Sequence, residues 1–281
     1  MTLLGGSFGT PITSVAFVAN QEIDTIHAID VSDPTNPVEI DTISGGTFNG
    51  VSGIAADPTN KRIYFCTRNT TRRVGVIDVS NPKSMSLGTT LNVGSEPLFT
   101  CDIDVTNSRL WVASETSVYA IDVSNQSSFS NLGNRGLGGT NLSRGEIFVD
   151  PDTGYAYSNG VGGTGDLTLL KWDGSSVDDR YSQTNSGGYS GLAIAPSGTG
   201  DLVYIAIASS SVEQVLLREG YSSGQYTDQI ANASGFTKSG SLDGAKVNIF
   251  HRSRDYLYNM SQANSHKLVT IDVSNINNPT Y

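Results

Sequence analysis

One five-residue phrase keeps returning along this chain. Ala28-Ile29-Asp30-Val31-Ser32 reappears as Val76-Ile77-Asp78-Val79-Ser80, as Ala120-Ile121-Asp122-Val123-Ser124 and as Thr270-Ile271-Asp272-Val273-Ser274. Weaker copies fit between the third and fourth, at Leu169-Leu170-Lys171-Trp172 and Gln214-Val215-Leu216-Leu217. A second marker fixes the period independently. Upstream of each copy lies an apolar stretch with one large aromatic: Phe17, Tyr64, Trp111, Tyr157, Tyr204 and Tyr258, spaced by 47, 47, 46, 47 and 54 residues. A period of about 40–50 residues, with room for about four strands, marks a β-propeller. Six markers predict six blades.

The expectation is therefore an all-β chain folded as a single six-bladed β-propeller over 1–281, with about four antiparallel strands per blade. Blades fall near 1–46, 47–94, 95–138, 139–186, 187–236 and 237–281. Within a unit, Asp57, Asp104 and Asp150 each stand seven residues before the aromatic and open a turn, because Asp hydrogen-bonds its own backbone two residues on. The repeat register places inner strands near 50–57, 98–104, 144–150, 189–195 and 246–251. The third strand carries the Ile-Asp-Val-Ser phrase, and prolines such as Pro34 and Pro37 stop pairing before an outer strand. The phrase aspartate recurs in four blades, whereas a catalytic group is needed once. Its expected work is to fasten a turn through side-chain to backbone bonds.

Composition agrees. Ser, Thr and Asn number 36, 26 and 21, charged residues are only 16 %, and Gly is 31, which suits strands and polar turns better than helices. A net charge of −10 sets phosphate backbones against the chain, so no nucleic-acid partner is expected. No apolar run approaches the ~20 residues of a membrane-spanning helix, so no membrane insertion is expected. Residues 1–6 show neither a basic nor an apolar signal-peptide region, and no such signal is expected. Cys66 and Cys101 are expected as two buried free thiols, with their pairing left open.

The wrap-around spacing from Tyr258 to Phe17 is 40 residues, about one strand short of the period. Either the N-terminal residues complete the last blade as its outer strand, or that blade offers an unpaired edge for strand pairing with another chain.

The run from Ile29 to Val38, Ile-Asp-Val-Ser-Asp-Pro-Thr-Asn-Pro-Val, resembles an LVIVP-type repeat, and the blade pattern is similar to YVTN and lactonase-like propellers. That resemblance implies a surface-exposed or secreted adhesion or interaction module; some related propellers are enzymes. Fold alone does not settle function.

The inner strands hold the polar inventory from which a channel site would be built: Cys101, Asp102, Glu146, Asn248 and His251. A lactonase-like hydrolase with a divalent metal would need carboxylates and amides to converge, for example Asp102, Glu146 and Asn248. Their spacing does not require it. Zinc motifs and a Gly-x-Ser-x-Gly elbow are absent, and the glycine-rich run 160–165 falls in a hairpin loop rather than before a helix. No cofactor and no metal site is expected. Arg72 and Arg73 beside Arg68 read as a solvated hairpin tip.

The unit between Tyr204 and Tyr258 is seven residues longer than its siblings. Its excess lies within 219–244, where Tyr221, Tyr226 and Phe236 stand among Ser, Gly and Gln. Aromatics on adaptable polar loops suit protein or carbohydrate recognition, and these three form the candidate recognition loop. The functional expectation is a non-catalytic interaction or structural module. Its setting is a virion or extracellular surface, as a phage or related virus decoration, tail-associated or host-recognition protein. Its partners are other chains of an assembly or a host receptor or glycan. The alternatives are the metal-dependent propeller hydrolase and a secreted or cell-surface adhesion module.

Overall fold

The computed structural model describes residues 14–33, 35–69, 72–136, 146–150, 154–159, 165–185, 189–197, 200–207, 214–218, 221–222, 225–226, 230–231, 245–251, 256–261 and 268–272. Side chains are described through 158, at 168 and at 170–177. These residues form antiparallel sheets. A 3₁₀ turn at Gly46–Phe48 is the only helical element among them.

The first sheet is β1 (Val15–Asn20), β2 (Thr25–Asp30) and β3 (Val38–Ser44). The second is β4 (Val51–Asp57), β5 (Arg62–Thr67), β6 (Arg73–Asp78) and β7 (Ser86–Asn92). The third repeats that order with β8 (Leu98–Asp104), β9 (Arg109–Ser114), β10 (Ser117–Asp122) and β11 (Ser130–Gly136). The fourth has β12 (Ile147–Val149), β13 (Ala156–Asn159), β14 (Gly165–Trp172) and β15 (Val177–Asn185). In the fifth, β16 (Tyr189–Ser197), β17 (Gly200–Ile207) and β18 (Gln214–Arg218) are followed by an inserted hairpin, β19 (Tyr221–Ser222) with β20 (Gln225–Tyr226), before β21 (Ile230–Ala231) pairs β18. The sixth is β22 (Ala245–His251), β23 (Tyr256–Ser261) and β24 (Leu268–Asp272). The strands β4, β8, β12, β16 and β22 fall on the inner-strand segments read from the repeat.

Register identifies equivalent strands. Phe17 stands opposite Ala28, Tyr64 opposite Val76, Trp111 opposite Ala120, Tyr157 opposite Leu169 and Tyr258 opposite Thr270. In each case the marker aromatic faces the first residue of the phrase. Strand β1 is thus the counterpart of β5, a second strand. The fifth unit corrects the sequence alignment: Tyr204 pairs with Leu217, so Leu217, not Gln214, holds the first phrase position.

Irregularities recur with the same regularity. The register shifts between third and outer strands at Ala28/Ile29, Gly75/Ile77, Ala120/Ile121 and Leu169/Leu170. A bulge next to an outer edge twists it and blunts pairing with a foreign strand. Inner and second strands shift too, at Val51/Gly53, Leu98/Thr100, Tyr189/Gly191 and Ala245/Val247.

The core lies between consecutive sheets. On β5, Ile63 and Phe65 join Ile26, Phe48 and Val51 toward the first sheet, while Tyr64 and Cys66 join Leu98, Cys101 and Val112 toward the third. On β9, Leu110 and Val112 pack toward the second sheet, and Trp111 and Ala113 pack with Ile147, Val149 and Ala156 of the fourth. Period-two alternation with both faces apolar is what a strand sandwiched between sheets requires. The inner strands follow one another in space, β4 beside β8, β8 beside β12, β12 beside β16 and β16 beside β22. Gly53 lets β4 and β8 come this close, because a Cβ there would sit 2.7 Å from the Thr100 Cα.

Sheets are also tied at their rims. The Asp41 carboxylate on β3 accepts the Met85 N–H at 2.6 Å, and the Thr89 hydroxyl on β7 donates to the Gln126 carbonyl at 2.6 Å. Each bond links an outer strand to the next unit's loop between its third and outer strands.

Candidate functional site

The repeated carboxylates come first, since any channel or rim chemistry would draw on them. The Ser32 N–H donates to Asp30 Oδ1 at 2.9 Å, and the Ser80 and Ser124 N–H groups donate to Asp78 and Asp122 Oδ1 at 2.8 Å each. The Ser80 hydroxyl also donates to Asp78. Hydrogen bonds from these serine side chains, then from their backbone N–H groups, hold all three carboxyls below the ordinary range. This is the turn-fastening expected of the phrase. In the fourth unit Lys171 replaces the phrase aspartate, and Asp173 takes over the turn. It accepts the Ser175 and Ser176 N–H groups at 2.8 Å each, which lowers its pKa to about 2.

A second set opens the turn between inner and second strands. Asp57 accepts the Asn60 N–H at 3.0 Å and its side-chain amide at 2.7 Å; Asp104 does the same with Asn107 at 3.0 and 2.8 Å. The turn ends in a left-handed residue, Lys61 (φ 54°), Ser108 (φ 51°) or Gly154 (φ 69°). A Cβ on Gly154 would lie 2.6 Å from Asp104 Oδ2, so glycine there lets the fourth unit's turn nest on the third.

Of the inner-strand polar groups, Asp102 is unlike its counterparts. At the position opposite the marker aromatic the other inner strands carry Ala55, Phe148, Ala193 and Ile249. The Asp102 carboxylate accepts the Ile103 N–H at 2.9 Å and, across the sheet boundary, the Val149 N–H at 2.7 Å. The residue keeps some accessible surface, but its carboxylate is enclosed by protein. Burial raises its pKa to about 6 against those two stabilising bonds. Ser52 makes the matching link one boundary earlier, donating to the Leu98 carbonyl at 2.8 Å. Inner-strand backbone without a ladder partner is thus satisfied by a side chain from the preceding unit.

Glu146 is half-buried and engaged, and is not joined with Asp102 in any metal-holding cluster. The side chains of Asn248 and His251 lie outside the described residues. Among the described residues no group of three or more His, Cys, Asp or Glu side chains converges to hold a metal. His27 Nδ1 pairs with Glu39 across β2 and β3 at 2.6 Å. Glu96 accepts the Ser114 and Thr116 hydroxyls at 2.6 and 2.7 Å; burial opposes ionisation, but these bonds hold its pKa below normal. Cys66 and Cys101 are both free and buried.

The basic group at the β5–β6 tip is more than solvated. The Arg68 guanidinium lies 4.9 Å from the Phe99 ring centre, and Arg73 Nε donates to Asn92 Oδ1 at 3.1 Å. In the candidate recognition loop, Tyr221 and Tyr226 are direct cross-strand partners in the β19–β20 hairpin. Their side chains, and Phe236 altogether, lie outside the described residues. The Asp173 turn repeats the Asp-x-Ser spacing of the phrase, a local signal in Asp173-Gly174-Ser175, whereas no sequence signal marked the Asp102–Val149 link, which joins residues 47 apart.

The LVIVD repeat family matches residues 16–44 and 74–93. The two segments span β1 to β3 and nearly all of β6 and β7, and the first contains the Ile29–Val38 run on which the repeat resemblance rests. No curated protein matches the chain.

Proposed function

We propose that this chain, which carries LVIVD repeats, closes into a single six-bladed β-propeller and works as a non-catalytic interaction module on a surface, foremost that of a virion. Six consecutive sheets, five of them with the marker aromatic facing the first phrase residue, support the ring, as do inner strands that follow one another from β4 to β22. The observation that carries the functional reading is the use made of the repeated carboxylates. Asp30, Asp57, Asp78, Asp104, Asp122 and Asp173 all bind the backbone of their own turns. The repeat thus builds geometry and leaves recognition to what departs from it.

The departure proposed for binding is the inserted hairpin, where Tyr221 and Tyr226 face each other in register. Its partner is a host receptor, a glycan or a neighbouring chain of the assembly. Outer strands β3, β7 and β11 are largely exposed and rich in small polar residues, which leaves their faces open to solvent.

The test pairs a glycan and surface-protein array with immunogold labelling of purified particles. Expected are particle labelling and array binding that a Tyr221→Ala/Tyr226→Ala variant loses while keeping its unfolding temperature. A stoichiometric divalent ion released by Asp102→Asn, together with lactone hydrolysis, would overturn the reading in favour of the hydrolase.

A further inference from the structure

The chain has two cysteines among 281 residues, and the fold brings them together from different sheets. Cys66 sits on β5, a second strand, and Cys101 on β8, the inner strand of the next unit. Both belong to the core cluster between those sheets, Cys66 fully buried and Cys101 5 % exposed. Gly53 locates them relative to each other. A Cβ built there would lie 2.9 Å from Cys66 Sγ and 2.9 Å from the Cys101 N, so the sulfur occupies space that only glycine leaves beside the Cys101 backbone. The Cys66 side chain stands close enough to the Cys101 thiol to push its pKa up. Ser52, whose hydroxyl ties β4 to the Leu98 carbonyl, lies 3.6 Å from Cys66 Sγ and fixes the same junction.

We propose that Cys66 and Cys101 are a modification site: a thiol pair that a small-molecule disulfide such as oxidised glutathione converts into a cross-link between the second and third sheets. One cysteine thiolate attacks a glutathione sulfur and expels one glutathione thiolate, leaving a mixed disulfide. The second cysteine, on losing its proton, attacks the protein-bound sulfur and expels the other glutathione thiolate. One protein disulfide and two reduced glutathiones result. The contact with Cys66, and then burial, push the Cys101 thiol well above its ordinary range, so the closed reduced protein reacts slowly. The cross-link forms while the sheets come together, or when they part transiently. It closes a loop of about 35 residues in the unfolded chain, which lowers the unfolding equilibrium constant on the order of a hundredfold or more. Disulfides persist in oxidising compartments, and such a lock suits a protein displayed outside the cell.

The experiment refolds the full chain with oxidised and reduced glutathione, digests it with trypsin without reduction, and analyses the peptides by mass. The expected product links peptide 63–68 to peptide 84–109 and is lost on reduction. Its urea midpoint should exceed that of the reduced wild type, and that gain should be missing in Cys66→Ala and Cys101→Ala under the same buffer. Unreacted thiols, separate glutathione adducts at each cysteine, or a linked protein with an unchanged midpoint would each overturn the proposal.

Discussion

Asp102 offers the sharpest test of how the third and fourth sheets are joined. Its carboxylate is held by the Ile103 and Val149 N–H groups, yet burial raises its pKa from 3.8 to about 6. Between those two values the folded protein keeps a proton that the unfolded chain has released. Stability therefore falls as pH rises from about 4 to about 6 and is flat above, which is the sign for an acid whose folded pKa is raised. At about 1.4 kcal/mol per pH unit the full span is about 3 kcal/mol, an upper figure because the residue retains some access to water. Asp78 and Asp122 act in the opposite sense and at lower pH. Their depressed pKa values give stability that is present above the ordinary carboxylate range and lost as pH falls below it. Asp102→Asn keeps the size of the side chain and cannot titrate. Urea unfolding of both proteins at half-unit steps from pH 4 to 7.5 should show the wild type losing about 1–3 kcal/mol relative to the variant across pH 4–6, then running parallel. Curves parallel through the whole range would refute the buried, titrating carboxylate and the sheet boundary drawn around it.

Other perturbations act on single contacts, and all are read by urea or thermal unfolding. Asp104→Ala removes both Asn107 bonds and the carboxylate 3.9 Å from Arg109, and should cost about 2–4 kcal/mol; a loss below 1 kcal/mol would show that the turn holds without it. Gly53→Ala drives a methyl to 2.7 Å from the Thr100 Cα, and should cost about 1–3 kcal/mol or more; a neutral result would place β4 and β8 further apart. Trp111→Ala, at a fully buried side chain, should cost about 3–5 kcal/mol, with Trp111→Phe much milder since the indole N–H has no partner to lose. Ser108→Gly goes the other way: relief of a left-handed backbone at φ 51° should stabilise by up to about 1 kcal/mol, and a loss would contradict that conformation.

What could be read from the sequence was whatever the repeat expresses locally. Strand β8 ends at Asp104 because the Asp-Val-Thr-Asn run is itself a turn, and the Trp111 strand must follow at a fixed distance. The serine-capped turn after Asp122 is likewise a contact between near neighbours. Reading failed where the signal is not local or not periodic. In the fifth unit Val215, Leu216 and Leu217 are all apolar, so alternation cannot choose between frames three residues apart, and only the pairing of Tyr204 with Leu217 decides it. Arg68 is exposed, as a hairpin tip requires, but its contact with Phe99 could not be read because that ring lies 31 residues away on the next unit. Cys66 and Cys101 meet for the same reason, through the stacking of sheets rather than through any spacing along the chain.

The boundaries between units share a plan at three depths, and the plan explains where function has room to differ. At the inner strands a side chain of one unit satisfies backbone of the next, through Ser52 to Leu98 and Asp102 to Val149. In the middle, alternating strands such as β9 fill both neighbouring interfaces with apolar side chains. At the rim, Asp41 reaches Met85 and Thr89 reaches Gln126. A residue held at any of these depths answers to two sheets at once, so altering it loosens a boundary before it creates a site. Residues added to the repeat between a third and an outer strand are not needed to build those three contacts. The β19–β20 hairpin is such an insertion, which is the physical reason for seeking recognition there rather than among the carboxylates of the repeat.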